Sequence, residues 1–149
     1  MKKTLITSGI IFMLFFGQNS LFAQFTVSYH SSSLPKAGFG YDFNEKFGAE
    51  LRLYTNVIFD DFTPELMVKY NFISNDQFDF YSGLGGVINS LDGIFIPIGF
   101  QFRPIESFKQ FSIHAEIAPL WDFNDSFIFL GSWGFRYKFK KKFAVKVAD

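Results

Sequence analysis

The chain has 149 residues, 48% hydrophobic and 21% aromatic, with 24 phenylalanines, and its 14 basic residues balance 14 acidic ones. Balanced charge gives no footprint for nucleic acid, and a charged fraction of 19% is too low for a disordered polyelectrolyte. Without cysteine, disulfide frameworks, thiolate metal sites and thiol nucleophiles are excluded, so stability rests on burial and backbone pairing.

Met1 to Ala23 opens with Lys2 and Lys3, passes through an apolar stretch to Phe16 and ends Gln18, Asn19, Ser20, Leu21, Phe22, Ala23. This is the pattern of a secretory signal peptide with cleavage before Gln24. Its uninterrupted apolar part, Ile10 to Phe16, is much shorter than the roughly 20 residues a membrane-spanning helix needs. No later stretch is long and apolar enough to span as a helix, so a membrane reading of the remainder requires strands.

After Gln24 the apolar residues recur with period two, and eight segments emerge. The first sets Phe25, Val27 and Tyr29 against Thr26, Ser28 and His30. The second sets Ala37, Phe39, Tyr41 and Phe43 against Gly38, Gly40, Asp42 and Asn44. The third opposes Phe47, Ala49, Leu51 and Leu53 to Gly48, Glu50, Arg52 and Tyr54, and the fourth Leu66, Val68, Tyr70 and Phe72 to Glu65, Met67, Lys69 and Asn71. In the fifth, Phe78, Phe80, Leu84 and Ile88 oppose Asp79, Tyr81, Gly83, Gly85 and Asn89.

The sixth opposes Ile94, Ile96, Ile98, Phe100 and Phe102 to Phe95, Pro97, Gly99, Gln101 and Arg103. The seventh opposes Phe111, Ile113, Ala115, Ile117, Pro119 and Trp121 to Ser112, His114, Glu116, Ala118 and Asp122, and the eighth Phe127, Phe129, Trp133, Phe135, Tyr137 and Phe139 to Ser132, Gly134, Arg136 and Lys138. Turn formers separate them at hairpin length, so consecutive strands are expected to be antiparallel. Pro97 and Pro119 each lack a ladder donor and predict local irregularity.

This pattern fits an eight-stranded antiparallel up-and-down barrel, in either of two senses. A lipocalin-like lipid carrier, secreted or periplasmic, turns its apolar face inward; an outer-membrane barrel turns it toward lipid. The bulky face carries more volume than an interior just wide enough for side chains accepts. The opposite face mixes glycine and serine with charges of both signs, which suits a plugged lumen better than a water-facing surface. The lipid-facing solution is therefore expected, with aromatic residues at strand ends at the two interfaces.

The run Gly131-Ser-Trp-Gly-Phe-Arg-Tyr-Lys-Phe139 resembles the closing strand of small eight-stranded outer-membrane barrels of the OmpA membrane-domain and OmpX type. Members of that group end on the final aromatic, whereas here the basic tail Lys140 to Asp149 follows, or the last strand extends through Phe143. The resemblance implies residues 1-23 as signal peptide, 24-139 as barrel and 140-149 as tail. It also implies a monomer placed in the cell outer membrane among lipid and lipopolysaccharide after insertion by the barrel-assembly machinery, with both termini periplasmic. No cofactor and no metal site is expected.

By parity, Asp42, Glu50, Glu65 and Glu116 point inward together with Arg52, Lys69, Arg103, Arg136 and Lys138, and Asp79 joins them by the same alternation. Such a lumen is expected to be closed by ion pairs, since an unpaired interior charge costs several kcal/mol, and a diffusion porin is not expected. His114 shares its face with Ser112 and Glu116, the residue types of a hydrolytic triad. Residues two apart on a strand have nearly parallel side chains, however, so a hydrogen-bonded lumen network including His114 is the expectation. His30 followed by Ser31, Ser32 and Ser33 resembles the His-x-Ser element of outer-membrane lipid A deacylases, but that element lies near the chain end in those enzymes and no Ser-Asn-Ala follows here. A lipid A or phospholipid-modifying enzyme stands as the alternative to a structural or envelope-interacting protein. Short connections weigh against adhesion through long loops. With the termini periplasmic, Asp60, Asp61, Asp92, Asp122 and Asp125 form an outer rim against Lys36 alone, a candidate for binding lipopolysaccharide phosphates through divalent cations.

Overall fold

The structure, a computed structural model, describes residues 24–55 and 62–140. Residues 1–23, the expected signal peptide, together with Asp60, Asp61 and the residues beyond Lys140, lie outside the described residues. Nine strands follow one another: β1 (Gln24–Ser31), β2 (Lys36–Asp42), β3 (Phe47–Tyr54), β4 (Pro64–Ser74), β5 (Phe78–Val87), β6 (Gly93–Phe95), β7 (Ile98–Phe102), β8 (Phe111–Asp122) and β9 (Phe127–Lys138). Successive strands pair antiparallel except β6 and β7, which both pair with β5 and β8, and β1 pairs with β9, so the sheet closes on itself.

The barrel has eight staves, because β6 and β7 are two halves of the expected sixth strand. Both pair with β5 on one side and β8 on the other. The split falls at Ile96-Pro97, and the two prolines explain it. Ile96 donates to the Pro119 carbonyl at 3.1 Å, and Gly83 donates to the Pro97 carbonyl at 3.1 Å, but neither proline can return a donor. Pro119 itself stays inside β8 opposite Phe129. A second irregularity shifts register in β4 between Asn71 and Ile73.

The alternation has the sense expected of a lipid-facing barrel. Phe25, Phe39, Leu51, Leu66, Ile113 and Phe135 are exposed on the outer face, while Thr26, Glu50, Arg52, Glu65, His114 and Arg136 are buried inside. A lipocalin-like carrier needs the reverse. At the end where β1 begins and β9 finishes, outward aromatics run around the wall in contact: Phe25 with Phe139, Phe47 with Tyr70, Phe72 with Phe80, Phe78 with Phe100 and Phe111 with Phe135. Toward the other end, the inside holds a small apolar cluster of Met67, Tyr81, Val87, Phe95, Ala118 and Leu120. Ile128 and Leu130 pack against it from β9.

Candidate functional site

The lumen gathers nearly all the strand-borne charge. At its centre Arg52 from β3 donates to both oxygens of Glu116 from β8, at 2.7 and 2.8 Å, and to Glu65 from β4 at 3.0 Å. Such two-pronged guanidinium–carboxylate contacts fix orientation as well as charge. Arg136 from β9 donates to Glu50 and to the Gln101 side-chain oxygen, both at 2.7 Å. Tyr81 donates to Glu116 at 2.8 Å and Tyr54 to Glu65 at 3.0 Å. Arg52 Nε lies 3.4 Å from Glu50, an electrostatic contact without hydrogen-bond geometry. Nearer the start of β1 and the end of β9, Lys69 and Lys138 share Asp42, each at 2.9 Å, and Arg103 pairs with Asp79.

Asp42, Glu50, Arg52, Glu65, Lys69, His114, Glu116 and Arg136 are buried inside the barrel, and Arg103 and Lys138 are partly exposed. The rim assignment of Lys36 is overturned: Lys36 opens β2, is buried, and donates to Glu65 at 3.0 Å with its ammonium near the Tyr54 ring. Its long stem lets a residue at the strand end bring its charge inside. Asp92 and Asp122 serve their own turns, accepting from the Asn89 and Asn124 main chains respectively. Asp125 occupies a left-handed turn position, φ 66°. Among the described residues there is no group of three metal-ligating side chains.

The Ser112, His114 and Glu116 side chains share a face but do not converge. Ser112 donates to the Arg136 carbonyl at 3.3 Å, Glu116 is held by Arg52 and Tyr81, and His114 contacts His30 at 3.0 Å. With neutral rings, the Glu50 carboxylate fixes the tautomers, because it can only accept. His30 Nε2 donates to Glu50 at 3.2 Å, and His30 Nδ1 then accepts from His114 Nε2. Ser28 also donates to Glu50. Both imidazoles are fully buried.

Parity alone did not bring His30 to His114, and the signal that does so lies in the glycines. Gly134 is the lateral partner of both, His30 on β1 and His114 on β8, so the two rings meet over a residue without a side chain. The same row recurs as Asp42–Gly48–Lys69 and as Tyr81–Gly99–Glu116. In each, the outer two side chains bond across the glycine. A Cβ at Gly48 would fall 2.6 Å from the Asp42 carboxylate, and one at Gly99 would fall 2.1 Å from the Tyr81 ring. The inward glycines are saddles that let second-neighbour strands exchange hydrogen bonds inside a narrow barrel.

Comparison with protein-family models and with curated protein sequences returns no match. Among solved structures, the crystal structure of the N-terminal β-barrel domain of Pseudomonas aeruginosa OprF superposes with a TM-score of 0.56 at 15% identity. The match covers 78% of this chain and 96% of that one. The chain shares that fold. It is a closed eight-stave antiparallel barrel, as the alternation implied.

Proposed function

We propose that this chain is an integral outer-membrane protein with a structural or envelope-interacting role, neither an enzyme nor a porin. The observation that carries the reading is the inversion of the two faces. Large apolar side chains cover the outside of all eight staves while carboxylates, guanidiniums and ammoniums fill the inside. Soluble monomers rarely expose contiguous apolar patches beyond a few hundred Å², and only closed barrels and helices satisfy every backbone group in hydrocarbon. The paired lumen supports a wall rather than a diffusion channel, and the separated Ser112, His114 and Glu116 contacts support a non-catalytic interior. Lipid and lipopolysaccharide are the surroundings this reading implies, with the barrel-assembly machinery as a transient partner.

A gel tests it. The barrel is expected to run compactly in SDS until boiled, then to shift in mobility, and to fractionate with the outer membrane. Recovery from the soluble periplasm without a heat shift contradicts the reading. Lipid A compared by mass with and without the gene separates scaffold from enzyme. An acyl change abolished by His114→Ala in a variant that still shows the heat shift defeats the non-enzymatic part.

A further inference from the structure

The wall is not equally tall all the way round. β1 has eight residues and β2 seven, whereas β8 and β9 have twelve each. At about 3.3 Å per residue and a tilt of about 40°, the first pair raises the wall by about 17–20 Å and the second by about 30 Å, against an outward apolar band of about 25 Å in such barrels. The strands are level at the end where β1 begins, where Phe25 meets Phe139, so the difference falls at the other end. There β1 stops at Ser31, opposite Trp133, while β9 extends beyond this pair from Ser132 to Phe127, joined to β8 only.

This step is polar. The outward series of β1, Phe25, Val27 and Tyr29, closes on Ser31, and the chain turns away through Ser32, whose hydroxyl is engaged by Leu34. Lys138 donates to Gln110 on the β8 side and Phe139 to Phe25 on the β1 side, so odd-numbered residues of β9 direct their main-chain groups toward β1. Past Trp133 these are Gly131, Phe129 and Phe127, whose N–H and C=O groups have no partner among the described residues. Bare backbone groups are not left in hydrocarbon. On this side the head-group level therefore comes down toward Ser31, and the leaflet thins to meet the short staves.

From the step, a furrow of about 500 Å³ crosses the outer wall. It runs from Ser31 and Ser32 over Gly131 of β9 and Ala115 of β8 to Phe100 of β7 and Phe80 of β5. Gly131 and Ala115 are the smallest outward residues of their strands, which makes the floor low. A Cβ at Gly131 would meet nothing within 4 Å. An apolar trough with a few polar groups at one end is the ordinary form of a small-molecule site. Here it matches a lipid: the trough takes a chain, and the Ser31 hydroxyl and the Gly131 N–H are donors for ester oxygens. Charge selects among lipids. The charged side chains that reach the surface at this end are the carboxylates of Asp92, Asp122 and Asp125, with no lysine or arginine among the described residues, since Lys36 is turned inside. A net-anionic head group meets like charge there, whereas an ammonium is attracted.

We propose that the step between β9 and β1 binds one zwitterionic diacyl phospholipid. An acyl chain lies along the furrow, the ester oxygens accept from Ser31 and Gly131, and the ammonium faces the carboxylates of the β8–β9 turn. The proposal rests on the membrane reading for the lipid that surrounds the wall.

The test is native mass spectrometry of the refolded barrel released from detergent micelles, with dioleoyl phosphatidylethanolamine, dioleoyl phosphatidylglycerol and lipid A as probes in equal amounts. One phosphatidylethanolamine is expected to stay with each barrel, in preference to phosphatidylglycerol by about tenfold or more. Gly131→Leu fills the furrow with a residue type already common on this face, so it is expected to abolish retention while leaving the heat shift intact. Ala115→Leu is expected to do the same and serves if the first variant does not fold. Equal retention of the two phospholipids overturns the proposal, as does preference for lipid A, no retained lipid, or retention that both variants leave unchanged. Each of these results in a barrel that keeps its heat shift leaves the membrane reading standing. If the heat shift is absent, the membrane reading fails, and the spectra from micelles still decide the lipid site.

Discussion

Leu51 and Arg52 are neighbours in β3 and live in opposite surroundings. Leu51 is 41% exposed on the outer face, whereas Arg52 is fully buried against Glu50, Glu65 and Glu116. In a soluble protein the assignments would be exchanged. The outer face is held by its environment and needs only to be apolar, so its residues are interchangeable in kind: phenylalanine, isoleucine, leucine, valine. The inner face is held by specific partners, and each residue there depends on two or three others. Substitutions on the two faces should therefore fail for different reasons and by different amounts.

The largest effect is expected inside. Arg52→Ala strands Glu116 and leaves Glu65 short of a partner, and breaking a buried pair from one side costs about 3–5 kcal/mol. Urea unfolding of the folded barrel in lipid reads this directly. Arg52→Ala combined with Glu116→Ala should recover part of the loss, as removal of both partners relieves the uncompensated charge. Outside, Leu51→Arg should cost about 2–4 kcal/mol in a bilayer if that position lies near the midplane. A change within about 0.5 kcal/mol is what a water-facing surface gives, so this variant sharpens the contrast between the faces.

The glycine saddles come next. Gly99→Val is expected to force Tyr81 away from Glu116, and overpacking of this kind typically costs about 1–3 kcal/mol. Gly131→Ala, on the outer face with open space around it, is expected to leave the unfolding midpoint unchanged. Equal effects from the two would remove the saddle explanation. The smallest effect belongs to the turn surface, where Asp76 accepts from Lys109 at 2.7 Å and both are exposed. The Lys109 ammonium holds the Asp76 carboxyl below its usual range. Its contribution is thus present at neutral pH and is lost as pH falls through the ordinary carboxylate value and then through the lower one of Asp76. Asp76→Asn should remove that pH dependence and lower the midpoint at neutral pH by the same small amount.

Much of this was legible in the residues because strand alternation has a period of two that turns cannot blur. A reader who places Arg52 inward has also placed Glu50, and the neighbouring strands follow by hairpin register. What escaped is what depends on closure. His30 and His114 lie 84 residues apart on β1 and β8 and meet only because β9 intervenes with a glycine. Lys36 follows a serine-rich turn and Pro35, so its neighbours speak for a loop, yet one more step of alternation puts it inside with Glu65. The β6–β7 break was foreshadowed by Pro97, whereas Pro119 keeps its strand by facing that break. The free edge of β9 was invisible from composition, since its six residues look like any other outward-alternating stretch until β1 is seen to stop short.

The face inversion is tested most directly by fluorescence in bilayers whose acyl chains carry bromine. Trp133 lies on the outer face and is 55% exposed, and Trp121→Phe leaves it as the only tryptophan. The account predicts strong quenching of Trp133 by bromine in the acyl chains and little by iodide in the water. Quenching by iodide with no response to brominated lipid would contradict it.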